Sequence, residues 1–237
     1  MRKILLLFAF ITICFSAQSQ VLISILLGDK LNSGKIEFGL DGGLNLSTIN
    51  GLDQGKYARY FNVGFYFDIK TKNPAWLFHT GVIVKSTMGI NQLPVYSLGN
   101  DTLDDAFADG SVDRKLAYFN VPIMMKYKIS KKFFVEAGPM LGLRTKCFDN
   151  FNEEIVDKDD LTYRLENSSN FKRIDAGMMA GAGYRLLGGN GMNLGIRYYM
   201  GLMNIATDDL APKQYNRSIY FVVGIPIGAG KVPKQPN

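Results

Sequence analysis

The feature that most constrains this chain is an alternation of apolar and polar residues that recurs in eight segments. In residues 116–129, one parity carries Ala, Phe, Val, Ile, Met, Tyr and Ile, whereas the other carries Leu, Tyr, Asn, Pro, Met and two Lys. Successive side chains of a β-strand point to opposite faces, so this alternation predicts strands with one apolar and one polar face. The predicted strands lie near residues 36–49, 57–70, 76–90, 115–129, 133–146, 171–186, 192–202 and 217–229.

The connections between these strands alternate in length. Those after the second, fourth and sixth strands are short, whereas those after the third and fifth span residues 91–114 and 148–170. Short turns at one end and long loops at the other are typical of β-barrels that cross an outer membrane. We therefore predict an all-β fold, a closed antiparallel eight-stranded up-and-down transmembrane β-barrel with long outer loops and short periplasmic turns.

The N-terminus predicts export from the cytoplasm. Arg2 and Lys3 precede an apolar run from Ile4 to Phe15, which is followed by small and polar residues. This is the pattern of a cleaved signal peptide, and the run is shorter than the roughly 20 residues of a membrane-spanning helix. The predicted organisation is a signal peptide, an N-terminal periplasmic segment, an outer-membrane barrel and a polar C-terminal tail, at residues 1–19, 20–35, 36–229 and 230–237.

The polar face of the strands is predicted to line the barrel interior. A soluble barrel buries its apolar face, whereas a membrane barrel turns that face to lipid and keeps a polar lumen. Glycines among the charged residues favour the second arrangement, and eight strands leave room only for side chains inside. We expect an interior ion-pair network without an open pore, formed by Asp68, His79, Lys85, Lys126, Glu136, Arg144, Arg173, Asp175, Arg185 and Arg197. A soluble lipocalin-like carrier is the alternative.

Aromatic residues on the apolar face gather near the short turns. Such rings favour the boundary between lipid and water. We predict an interface girdle formed by Phe67, Trp76, Tyr127, Phe133 and Tyr184.

Few residues suggest catalysis. His79 is the only histidine of the chain, and we interpret it as an interior histidine with satisfied hydrogen bonds, not as a catalytic base. Cys147 has no second cysteine or histidine nearby in the sequence, so neither a metal site nor a reactive thiol is predicted. No cofactor is predicted, and an outer-membrane enzyme remains the alternative function.

The acidic residues are concentrated in the two long loops. Because the whole chain has a net charge of +6 and its acidic residues lie mostly in these loops, the barrel and the short-turn side are basic. No compact basic patch suggests nucleic acid, and the loop carboxylates are interpreted as solvated, with Ca²⁺ binding as a weaker hypothesis.

Several stretches resemble the PorT-like outer-membrane β-barrel proteins of Bacteroidota. The most specific is the central hairpin, residues 118–127 (YFNVPIMMKY) and 130–139 (SKKFFVEAGP). Residues 175–184 and 194–205 resemble the sixth and seventh strands of that family, and Asn216-Arg217 fits the start of its last strand.

The resemblance implies an outer-membrane location and little about activity. The member that gives the family its name is needed for protein secretion and gliding. The implied partners are outer-membrane lipid, the outer-membrane assembly machinery, and an envelope or secretion protein. Barrel precursors usually end on an aromatic residue, whereas this chain continues past Ile227 with a polar tail. The leading prediction is a non-enzymatic scaffold whose surface loops bind a partner or glycan.

Overall fold

The protein is described by a computed structural model that covers residues 35–153, 160–187, 191–207 and 212–227. The signal peptide 1–19, the tail 230–237 and all but the last residue of segment 20–35 lie outside these ranges. No helix within the described ranges is long and apolar enough to cross a membrane. The strands are β1 Ile36–Asn50, β2 Lys56–Lys70, β3 Trp76–Leu93, β4 Ser111–Lys128, β5 Phe133–Glu153, β6 Leu161–Glu166, β7 Ile174–Arg185, β8 Asn193–Gly201 and β9 Tyr215–Pro226.

Eight of these strands close into an antiparallel ring. Neighbouring strands pair in the order β1, β2, β3, β4, β5, β7, β8 and β9, and β9 pairs back with β1. The last contact runs from Gly39 opposite Pro226 to Asn50 opposite Tyr215. This closure confirms the predicted up-and-down barrel.

The structure differs from the predicted strands mainly at the outer end. β5 runs seven residues beyond its predicted end to Glu153, and β4 begins at Ser111, four residues before its predicted start. β6 was not predicted and pairs with β5, extending the sheet beyond the ring. The connection between β3 and β4 contains a short helix, α1 Asp101–Ala106. The long loops are therefore partly built from regular structure.

The two faces of the barrel differ in burial as predicted for a membrane barrel. Polar side chains are buried inside the ring, including Asn45, Ser47 and Asn120. The outward face exposes large apolar side chains, including Leu44, Ile196 and Phe221. A lipocalin-like soluble barrel would have the opposite arrangement.

Candidate functional sites at the interior and the outer end

Arg197 on β8 is the centre of the interior network. Its Nε donates to Oε1 of Glu136 over 2.5 Å, and its Nη1 donates to Oδ2 of Asp41 over 3.0 Å. Its Nη2 lies 3.1 Å from Nε2 of His79. One guanidinium thus joins side chains from β5, β1 and β3, and it is 6 % exposed.

Both ring nitrogens of His79 have partners in the network. Nδ1 lies 2.6 Å from Oδ1 of Asp68, and Nε2 faces Arg197, whose nitrogens can only donate. Nε2 must therefore accept, and Nδ1 carries the proton that is donated to Asp68. The His79 ring is buried. Both ring nitrogens are engaged, which leaves neither free to act as a base.

Lys126 completes the network from β4. Its Nζ lies 2.8 Å from Oδ2 of Asp68 and 3.6 Å from Oε2 of Glu136. The network therefore cross-links β1, β2, β3, β4, β5 and β8. Among Asp41, His79, Lys126 and Arg197 there remains a cavity of about 10 Å³, which is room for one water molecule at most. At this level the interior is closed.

Three other predicted interior residues lie elsewhere in the barrel. Arg144 is buried near the outer end and donates to the carbonyls of Ser168, Phe171 and Lys172. Asp175 is fully buried, and its Oδ2 accepts from Asn216. Arg185 lies at the short-turn end, where it forms an ion pair with Glu37 at 2.6 Å.

Lys85 and Arg173 are corrections to the predicted network because both are exposed. The pairing of β3 with β2 shifts between Val63 opposite Lys85 and Gly64 opposite Ile83. This bulge turns Lys85 outward, an irregularity that strict alternation cannot anticipate. Arg173 precedes the first residue of β7 and lies at the rim.

The five predicted girdle residues lie on the outward face near the short turns. Trp76 and Tyr127 have ring centroids 4.8 Å apart, and those of Phe133 and Tyr184 are 4.9 Å apart. Phe67 packs against Phe38, with centroids 5.1 Å apart.

The outer ends of β4 and β5, together with β6 and segment 94–110, form what we call the outer module. The Phe151 ring lies within 6.4 Å of the rings of Tyr96, Phe107 and Tyr163. Phe107 and Phe151 are buried. These rings belong to a hydrophobic cluster that continues into buried residues of the ring strands, such as Met88 and Leu116.

An ion pair between the partly buried Arg114 and a buried carboxylate stabilises the module. Arg114 donates to both carboxylate oxygens of Asp149, at 2.9 and 2.7 Å. Tyr96 and Asn167 also donate to Oδ2 of Asp149. Burial and this carboxylate raise the pKa of the Tyr96 hydroxyl, which therefore stays protonated and continues to donate. Asp149 is fully buried, contrary to its interpretation as a solvated loop charge.

The other loop carboxylates that the structure describes do not form a metal site. In the part of the chain that is described, no three His, Cys, Asp or Glu side chains come together as metal ligands. Asp104 instead holds its own loop: Ser97 Oγ donates to Oδ2 and the Leu98 amide donates to Oδ1, both over 2.6 Å. The Ca²⁺ hypothesis thus has no support among these residues.

Asp104→Ala is expected to reduce hydrogen-exchange protection of the Leu98 amide, whereas Asp105→Ala should leave it unchanged. The two hydrogen bonds lower the pKa of the Asp104 carboxyl. A carboxyl with a lowered folded-state pKa contributes stability above its unfolded pKa and loses it as pH falls through the folded value. Protection in the wild type should therefore weaken below about pH 4. Equal protection in both alanine variants would contradict this role.

Sequence reasoning missed several partners of the residues that it identified. Asp41 and Glu37 occupy the inward parity of β1, so the alternation could have identified them. The Arg114–Asp149 pair left no such signal, because both residues lie in stretches that read as polar loop.

The comparison with protein families agrees with this architecture. Residues 17–207 match the family described as "Outer membrane protein beta-barrel domain". The chain belongs to this family. It is therefore an outer-membrane β-barrel protein of the bacterial envelope. No curated protein sequence matches it.

Several outer-membrane barrels of known structure are similar to this chain, all at low sequence identity. The attachment invasion locus protein Ail of Yersinia pestis is 12% identical, with a TM-score of 0.43, covering 81% of this chain and 99% of Ail. Neisserial surface protein A is 8% identical, with a TM-score of 0.40 and coverages of 80% and 96%. OprG of Pseudomonas aeruginosa is 13% identical, with a TM-score of 0.36 and coverages of 81% and 94%.

Proposed function

We propose that this barrel is a non-enzymatic scaffold whose outer module binds a partner protein at the cell surface. The observation that carries the proposal is the contrast between the middle of the barrel and its outer end. The middle of the barrel is closed by charged side chains, whereas the outer end carries a module that packs around the buried Phe151 ring. Binding sites are commonly found on loops that a rigid scaffold holds in place.

The exposed edge of β6 is the part of the module best suited to a protein partner. Among the described strands β6 pairs with β5 alone, so its other edge presents backbone N–H and C=O groups. Such an edge can accept a strand from another protein. Arg164 and Glu166 are exposed on β6, and Asp101, Asp105 and Asp109 are exposed on or next to α1. The surrounding acidity favours a partner strand with basic flanks, which also distinguishes this proposal from binding of an acidic glycan.

The interior supports a scaffold rather than an enzyme. His79, the only histidine, uses both ring nitrogens within the network. A general base has to reach a substrate proton within hydrogen-bond distance, and the His79 ring is 1% exposed.

A photo-cross-linking residue at position 164 on living cells tests this function. We expect a discrete protein adduct there, weakened by high salt, and no such adduct from the same residue at position 72 on the periplasmic side. Replacing residues 151–163 by Asn-Gly joins the paired Asn150 and Arg164 through a tight turn and removes most of the hairpin. This variant should abolish partner binding while keeping the heat-dependent gel shift of a folded barrel. Unchanged partner binding and envelope phenotype in that variant would refute the proposal.

We also propose that the chain belongs to the PorT-like branch and that its partner is an envelope or secretion protein. The support is the central hairpin, which forms the adjacent strands β4 and β5. Cross-linking to a component of a secretion apparatus would support this assignment, and an adduct only with an external host protein would contradict it.

A further inference from the structure

The periplasmic end of the barrel, where the short turns lie, contains a cavity that we call the basic vestibule. It is a cavity of about 350 Å³ lined by five cationic side chains, Lys126, Lys128, Lys131, Lys132 and Arg185. Asp68 is its one acidic lining residue. Charge is therefore strongly unbalanced here, in contrast to the interior network above it.

Few of these cations are neutralised by protein groups. Lys126 pairs with Asp68, and Nη2 of Arg185 pairs with Glu37. The Nε of Arg185 is buried without a hydrogen-bond partner within the described chain. Lys128, Lys131 and Lys132 likewise form no ion pair with any described residue. The vestibule thus offers several donors of one sign to an anion.

An apolar groove on the lipid-facing wall adjoins the vestibule. Its volume is about 720 Å³, and it shares Phe133 and Phe134 with the vestibule. The small side chain of Ala182 lies between the larger Val135 and Ile196 of the neighbouring strands, which makes the wall concave there. A groove of this kind fits a hydrocarbon chain.

We propose that these two cavities form one binding site for an anionic phospholipid of the periplasmic leaflet. The phosphate group binds in the vestibule beside Lys128, Lys131 and Lys132, and an acyl chain lies in the groove over Ala182. The position agrees with the Phe133–Tyr184 ring pair, because aromatic girdles lie at the level of lipid headgroups. Basic residues near a membrane attract anionic lipid.

The vestibule could also bind inorganic phosphate. The test therefore has to show that the acyl chain of the lipid contributes to binding. The purified barrel in non-ionic detergent is titrated with phosphatidylglycerol, phosphatidylcholine and inorganic phosphate, and binding is followed by native mass spectrometry. We expect one phosphatidylglycerol to remain bound, with at least tenfold weaker binding of phosphatidylcholine. Lys131→Gln/Lys132→Gln should weaken phosphatidylglycerol binding by about tenfold or more, because it removes two of the three ammonium groups that bind the phosphate in the vestibule.

Two further variants separate a built site from general attraction. Lys70→Gln/Lys72→Gln removes two charges from the neighbouring periplasmic turn, outside the vestibule lining, and should change phosphatidylglycerol affinity less than twofold. Ala182→Trp fills the groove and should weaken phosphatidylglycerol without affecting inorganic phosphate. Equal losses in both lysine pairs, or binding that is unaffected by Ala182→Trp, would overturn the proposal. All variants are first checked for the heat-dependent gel shift, which reports the closed barrel independently of lipid and of the outer module.

Discussion

Arg197→Met is expected to lower the free energy of unfolding by about 3–5 kcal/mol, the largest effect of any single substitution in the interior network. Methionine has no N–H groups on its side chain, so the hydrogen bonds from Arg197 to Glu136, Asp41 and His79 are lost. Two buried carboxylates then lose their main partner, and their desolvation is no longer offset. The measurement is urea-induced unfolding in detergent micelles, followed by the gel shift.

A matched control and a rescue separate this effect from loss of packing. Arg59→Met removes an exposed arginine of β2 and should change stability by less than about 0.5 kcal/mol. Arg197→Met combined with Glu136→Gln and Asp41→Asn should recover much of the loss, because the unpaired carboxylates are gone. If Arg197→Met were as stable as Arg59→Met, the network would contribute nothing to the barrel.

Arg114→Met is expected to release the outer module while the ring stays closed. Asp149 would then keep only the hydrogen bonds from Tyr96 and Asn167 for a fully buried charge. Removing one partner of a buried ion pair costs about 3–5 kcal/mol, here within the module. Limited proteolysis should therefore cleave segment 94–110 at least 100-fold faster, with little change in the gel shift.

The exposed Arg173 provides the control for this variant. Arg173→Met should leave the proteolysis rate within about twofold of the wild type, because Arg173 is exposed at the rim. Arg114→Met combined with Asp149→Asn should restore much of the protection. Loss of the gel shift in Arg114→Met would show instead that the module and the ring unfold together.

Much of the barrel could be predicted because the signal for each strand lies within the strand's own residues. Alternation along a strand depends on which face meets lipid, and this repeats every two residues wherever the strand is regular. It identified Asp68, His79, Lys126, Glu136 and Arg197 as residues of one face, and the structure brings these five together. It could not identify their individual partners, since pairing across the lumen depends on strand tilt and stagger.

The predictions from the sequence were wrong where a bulge interrupts the alternation of apolar and polar residues. They were also wrong where a polar stretch is buried by contacts with distant residues. The bulge in β3 turns Lys85 outward, and no residue type near it announces the change. The outer module was read as solvated loop because acidic residues are frequent there. The aromatic cluster around Phe151 buries this region, and long-range contacts of that kind are not visible in a window of sequence.

The membrane-embedded barrel is tested most directly by measuring whether its outward apolar face contacts lipid. Trp76 is the only tryptophan of the chain and lies on that face, 39% exposed, within the predicted girdle. In vesicles of brominated phospholipids, its fluorescence should be quenched most strongly when bromine lies near the headgroups and less when bromine lies at the bilayer centre. Efficient quenching by an aqueous quencher, with none from brominated lipid at any depth, would contradict the membrane-embedded barrel.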